Sequence, residues 1–203
     1  DCFAGAGAYD PAEGKRRQDG SPRVAARLAR ELELKRGEAL LRTINVEAER
    51  ATYIELRRNL VEFGHLTTSL HAQFQDVLDD ILAMVGRDPA LFFLDPFGVR
   101  GIEMPLIDRI RERAGKTELL IHFSDRAFLR MAGHLDENER AEVGQRAALA
   151  KLDELDTVIA SPLWRRIWAD KEATTEERID RIAALYCGQL RGRGFTYVHE
   201  IRM

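Results

Sequence analysis

A chain of 203 residues, 45% hydrophobic and 32% charged, has an ordinary globular composition and is long enough to bury one sizeable core. That excludes the disordered and fibrous classes and predicts a single domain over residues 1–203. The formal net charge of −3 excludes a global positive field for nucleic acid, so any such binding rests on local patches.

No stretch approaches the roughly 20 apolar residues of a membrane span, and an opening on Asp1 followed at once by glycines is not a signal-peptide pattern. Cys2 and Cys187 are too few for a disulfide framework and lack metal-ligand spacing, as expected of free thiols in a reducing cytoplasm.

Strand-length apolar runs alternate with helical patterns, the signature of βαβ units around a mostly parallel sheet with helices on both faces. Asp1-Cys2-Phe3-Ala4-Gly5 reads as the end of a first strand. Ser21-Pro22 predicts a helix start, with Ser21 as N-cap and Val24, Leu28 and Leu32 following at helical spacing. Ile44-Asn45-Val46-Glu47 is the second strand, followed by a helix from Arg50 to Phe63 with Tyr53, Leu56 and Leu60 on one face and Gly64 as its stop.

A third strand is predicted over residues 65–70, then a helix through Val77, Leu78, Ile81 and Val85 that ends at Gly86. Leu91-Phe92-Phe93-Leu94 has the unbroken apolar character of a parallel strand covered on both faces, and Asp95-Pro96-Phe97-Gly98 breaks it. Leu106, Ile107 and Ile110 mark a helix before a fifth strand over residues 119–123. Residues 136–172 then read as a charged helical insertion, in which Trp164 and Trp168 serve packing. A helix over residues 176–190 and a strand over residues 195–201 follow, without a further antiparallel strand after them.

Three strand ends carry the chemistry. Gly5 and Gly7 follow the first strand, where backbone must approach a ligand closely; a tight strand-to-helix turn asks for the same residues. A nicotinamide fingerprint wants another glycine where Asp10 stands, which disfavours an oxidoreductase. Glu47 ends the second strand, where a carboxylate can accept both ribose hydroxyls of an adenosine moiety or stand as a plain surface acid. Its distance from Gly7 exceeds the usual spacing, and an inserted loop over residues 8–20 accounts for the excess. Asp95 follows the fourth strand, at the edge where open α/β sheets bind ligands. There it can take a hydrogen bond from an acceptor amine, with Phe97 stacking on the acceptor ring; a simple strand-ending turn is the plainer account.

Lys15, Arg16 and Arg17 form the short basic cluster near these residues, suited to phosphates or simply solvated. The five histidines show no close ligand spacing, so no metal is assigned.

In this order and at these strand ends, the motifs resemble the S-adenosylmethionine (SAM) dependent methyltransferase superfamily, with its Rossmann-like sheet. The segments Asp1-Cys2-Phe3-Ala4-Gly5-Ala6-Gly7-Ala8-Tyr9, Asp19-Gly20-Ser21-Pro22, Phe92-Phe93-Leu94-Asp95-Pro96-Phe97-Gly98, His122-Phe123-Ser124 and Gly194-Phe195-Thr196-Tyr197 are similar to the three-Cys-motif partner protein family over nearly the whole chain.

The resemblance implies SAM as cofactor, held by Asp1, Phe3, Ala4, Gly5, Gly7, Glu47 and Ala48, with Gln73 and Phe74 near the adenine. Acceptor chemistry at Asp95, Pro96 and Phe97, on an amine of a nucleic acid or nucleotide-like substrate, is the expected reaction, although the resemblance itself implies no substrate. It also implies partnership with a radical-SAM-like three-cysteine protein, for which a catalytically silent partner is the alternative function. Amino-methyltransferases carry Asp-Pro-Pro-Tyr or a close variant, whereas Phe97 and Gly98 stand at the last two places here. Neither cysteine lies in the Pro-Cys motif that a cytosine-C5 enzyme needs for its nucleophile.

Overall fold

The computed structural model describes residues 1–9, 18–133 and 142–201. Asp10, the Lys15, Arg16 and Arg17 cluster, His134 and the first residues of the expected helical insertion lie outside them. The chain is an α/β protein that divides into two compact units, Asp1–Asp95 with Arg113–Ile121, and Pro96–Glu112 with His122–Met203.

In the first unit, β1 (Ala8–Tyr9) pairs antiparallel with β2 (Gln18–Asp19), so both ends of the expected inserted loop are clamped together. α1 (Ser21–Arg36) leads to β3 (Thr43–Glu47), which pairs in parallel with β4 (Thr67–His71) across α2 (Arg50–Leu60) and a 3-10 helix (Val61–Leu66). α3 (Phe74–Val85) leads to β5 (Ala90–Leu94), which pairs in parallel with β6 (Thr117–Ile121).

Main-chain hydrogen bonds tie residues 1–4 to both pairs. The Asp1 nitrogen donates to the Ile44 carbonyl and Val46 N–H to the Asp1 carbonyl, while Cys2 N–H donates to the Phe93 carbonyl of β5. The opening segment therefore lies between β3 and β5. Ala4 packs with Ala26, Leu56, Leu60 and Phe63, whereas the Phe3 ring meets Phe74 edge-on at 5.8 Å. Successive side chains of an extended segment point to opposite sides, so these two contacts put the α1–α2 core and the start of α3 on different faces.

Several boundaries and faces differ from those expected. Gly20, not Ser21, is the N-cap of α1, because the Ser21 hydroxyl donates to Asp1 instead of capping. Val24 and Leu28 are 56% and 50% exposed, while Ala26 and Ala29 are fully buried, so the small residues define the packed face of α1. α2 ends at Leu60, and the 3-10 helix runs through Gly64 and takes in His65 and Leu66, which delays β4 to Thr67. Leu91 is 60% exposed beside buried Phe92 and Leu94, so β5 alternates and has one open face. β6 starts two residues before the expected strand, and Phe123 instead packs its ring against Phe128 and Tyr186.

The second unit is helical: α4 (Met104–Glu112), α5 (Asp125–Ala132), α6 (Glu142–Ile159), α7 (Leu163–Trp168) and α8 (Thr175–Gly192). Thr174 and Glu177 close a capping box at the start of α8, which satisfies donors at its exposed first turn. Phe128 is the hub of the core, with the Trp164 and Trp168 rings edge-on to it at 5.6 and 6.1 Å. Trp164 is fully buried and gives its indole N–H to Asp156, so both tryptophans serve packing. Residues 195–201 form no strand: Tyr197 and Ile201 are largely exposed and no ladder among the described residues receives them, so alternation alone does not make this segment a strand. Among the described residues, no helix is long and apolar enough to cross a membrane.

Candidate functional site at the strand ends of the first unit

The glycine turn after residues 1–4 is built from backbone geometry. Gly5 and Gly7 have φ of +59° and +74°, a region that costs a residue with Cβ strain. A Cβ on Gly7 would sit 3.0 Å from Leu56 Cδ1, so this position is also closed by the packing of α2.

Hydrogen bonds brace the turn on each side. Asn59 of α2, 9% exposed, donates its amide to the Ala6 carbonyl at 2.7 Å, and Gly20 N–H donates to the Gly7 carbonyl at 2.9 Å. Arg23 holds the Asn59 carbonyl at 2.7 Å while its Nε pairs with Asp19 at 2.9 Å. The Asp1 carboxylate accepts from Phe3 N–H at 3.2 Å and from Ser21 Oγ at 2.5 Å.

Glu47, at the end of β3, reaches across to this turn. Its Oε2 accepts from Gly5 N–H at 3.0 Å and its Oε1 from Glu49 N–H at 2.7 Å. Each carboxylate oxygen has two lone-pair sites, so one remains at each for another donor. Glu47 is half-buried and Ala48 exposed, which leaves this edge open to solvent. Glu49 then caps α2, accepting from the N–H groups of Ala51 and Thr52 and from the Thr52 hydroxyl. The hydrogen bonds from Thr52, ahead of that from Ala51, pull the Glu49 carboxyl down to about 2.

The remaining expected residues sit as follows. His71 stands opposite Glu47 in the β3–β4 register, and Ala72 N–H donates to the Glu47 carbonyl, which brings exposed Gln73 close to the acidic strand end. Phe74 is 1% exposed and belongs to the core beneath Phe3. Asp95 follows β5 and is exposed; in the second unit, Pro96 is buried and Phe97 fully exposed. Burial pushes the Cys2 thiol up to about 11, so it is a neutral core side chain near pH 7.

The structure thus joins Asp1, Phe3, Ala4, Gly5, Gly7 and Glu47 directly and sets Ala48 and Gln73 beside them. Asn59, Ser21 and Arg23 were not expected as supports. The signal for Asn59 was available: an amide between Leu56 and Leu60 on the buried stripe of α2 needs a partner. Comparison with protein-family models, curated proteins and solved structures finds no match to this chain.

Proposed function

We propose that the chain is a Rossmann-like, SAM-dependent methyltransferase of the cytoplasm, related to the three-Cys-motif partner proteins and acting on an amine of a nucleic acid or nucleotide-like substrate. The observation that carries this reading is the 3.0 Å hydrogen bond from Gly5 N–H to Glu47. It couples a left-handed glycine turn to the acidic end of the neighbouring strand, the pairing that holds an adenosine nucleoside in doubly wound sheets. The position of residues 1–4 between β3 and β5, with β4 and β6 outside them, supports the same reading, since ligands of such sheets bind where the strand order reverses.

In this reading the ribose hydroxyls donate to the open lone pairs of Glu47, and the methionine part lies over residues 3–7. Gln73 borders the adenine. Asp95 orients the acceptor amine, because methyl transfer from a sulfonium chiefly needs an aligned nucleophile.

Calorimetry with SAM and with its demethylated product tests the cofactor. Glu47→Ala weakens binding by about 1–3 kcal/mol, the range for hydrogen bonds to a charged group; unchanged affinity in the folded variant removes Glu47 from the site. A radiolabelled methyl assay on total RNA, DNA and protein tests the chemistry. Asp95→Ala depresses turnover far more than SAM affinity, as for an interaction made in the transition state. Equal labelling by wild type and variant ends that role for Asp95.

A second reading, a catalytically silent partner of a radical-SAM-like three-cysteine protein, draws on the full exposure of Phe97 at the third place of its motif. It expects no labelling by wild type with any substrate, and Phe97→Ala to weaken association with that protein.

A further inference from the structure

The arginines of α1 and α2 differ in their partners. On α1, Arg23 pairs with Asp19 and Glu62, Arg27 with Asp19, and Arg30 with Glu62. On α2, Arg50, Arg57 and Arg58 are exposed and take no ion pair with any described residue.

At about 100° per residue, positions 50, 54, 57 and 61 fall on one stripe of α2 continued into the 3-10 helix, with Arg58 at its flank. Glu55 lies on the other side from Arg50 and Arg57. Ile54 and Val61, on the stripe, are 44% and 76% exposed. Tyr53, Ile54, Arg57, Arg58 and Val61 line an open depression there, and the Tyr53 ring stacks on His71 at 5.0 Å. Leu56 and Leu60 turn the opposite face of α2 into the core, which leaves Arg50, Ile54, Arg57, Arg58 and Val61 at the surface.

We infer that the outer face of α2 is a docking surface for a single-stranded nucleic acid, its phosphates on Arg50, Arg57 and Arg58 and its bases against Tyr53, Ile54 and Val61. Unpaired cations interleaved with aromatic and aliphatic side chains match a flexible polyanion that carries flat apolar bases. Arg50 and Arg57 stand about 10 Å apart along the axis at ~1.5 Å per residue, the reach of one strand. Two exposed aliphatic side chains are too few to embed a helix in a membrane surface. Arg50 lies three residues after Glu47, so a strand held on α2 passes the edge of the candidate site. The inference rests on the proposed function only in taking the acceptor to be a nucleic acid.

The test is fluorescence anisotropy with labelled 12-nucleotide single-stranded RNA and DNA across a salt series, without SAM. Wild type binds, and the double variant Arg57→Glu/Arg58→Glu loses at least tenfold in affinity. The slope of log K against log salt becomes shallower by about 1.4, at ~0.7 per phosphate contact. Lys35→Glu, on exposed α1 surface, stays within twofold, and circular dichroism of each variant matches wild type. Absence of oligonucleotide binding by wild type, equal losses from the Lys35 and Arg57/Arg58 variants, or Arg57/Arg58-dependent binding to anionic phospholipid vesicles but not to oligonucleotides overturns the inference. Oligonucleotide binding without methyl transfer would defeat the methyltransferase reading alone; methyl transfer to nucleic acid that is indifferent to Arg57 and Arg58 would defeat this inference alone.

Discussion

The glycine turn of the first unit and the aromatic core of the second are held by different forces. Around residues 5–7, directional bonds dominate: Asn59 to Ala6, Gly20 to Gly7 and Gly5 to Glu47, where Gly5, Ala6 and Glu47 are partly open to water. Around Phe128, the rings of Trp164 and Trp168 pack edge-on in a dry interior, and the polar atoms serve mainly to satisfy the indole of Trp164. Packing accumulates stability from buried area, whereas short hydrogen bonds fix main-chain geometry for little net energy. The difference separates a region built for shape at a surface from one built for cohesion.

Changing one residue in each region tests that contrast. Trp164→Ala empties a fully buried site and removes one donor to Asp156, and costs about 3–5 kcal/mol in denaturant unfolding. A loss under about 1 kcal/mol would mean that the aromatic core is not the stabilising element of its unit. Gly7→Ala must hold φ near +74° and displace Leu56, and costs about 1–3 kcal/mol. Its thermal midpoint should fall less than that of Trp164→Ala, and the reverse ranking would break the comparison.

Asn59→Ala removes one brace and leaves the Ala6 carbonyl to water. Its cost falls at the lower end of the ~1–3 kcal/mol range, because Ala6 is only half-buried. Amide exchange should quicken at residues 5–7 while the amides of α8 are unaffected; uniform quickening would show that Asn59 acts on the whole fold.

The smallest effect concerns pH. The Glu49 carboxyl sits at about 2, below its ordinary value of 4.5, chiefly through hydrogen bonds from Thr52. A depressed carboxylate contributes stability that is complete above the unfolded value and is lost as pH falls through the folded one. The first turn of α2 should therefore loosen between pH 4.5 and about 2, as read by amide exchange at Ala51 and Thr52. Glu49→Gln should remove that pH dependence, and an unchanged profile in the variant would assign the transition to another group.

Much of the frame was legible from local pattern. The order of elements from α1 to β6, the glycine turn, the acid at the end of β3, the stop at Gly86 and the break after β5 all follow from residues close in sequence, because propensity, capping and the need for positive φ act over a few residues. The contact from Gly5 to Glu47 was legible only as a juxtaposition of two strand ends. Its bond required the parallel pairing to be in place.

Tertiary structure decided sidedness and partnership. Val24 and Leu28 match a helical stripe as well as Ala26 and Ala29 do, yet the alanines are buried, because close approach between packed elements favours the smaller side chains. Phe74 is one residue past Gln73 but points into the core, since adjacent residues leave the chain in different directions. Residues 195–201 alternate like a strand and form none, because a strand exists only where a neighbour supplies the ladder. Local chemistry thus determined which turns and elements the chain makes, while long-range hydrogen bonds and packing selected which faces are covered and which residues meet.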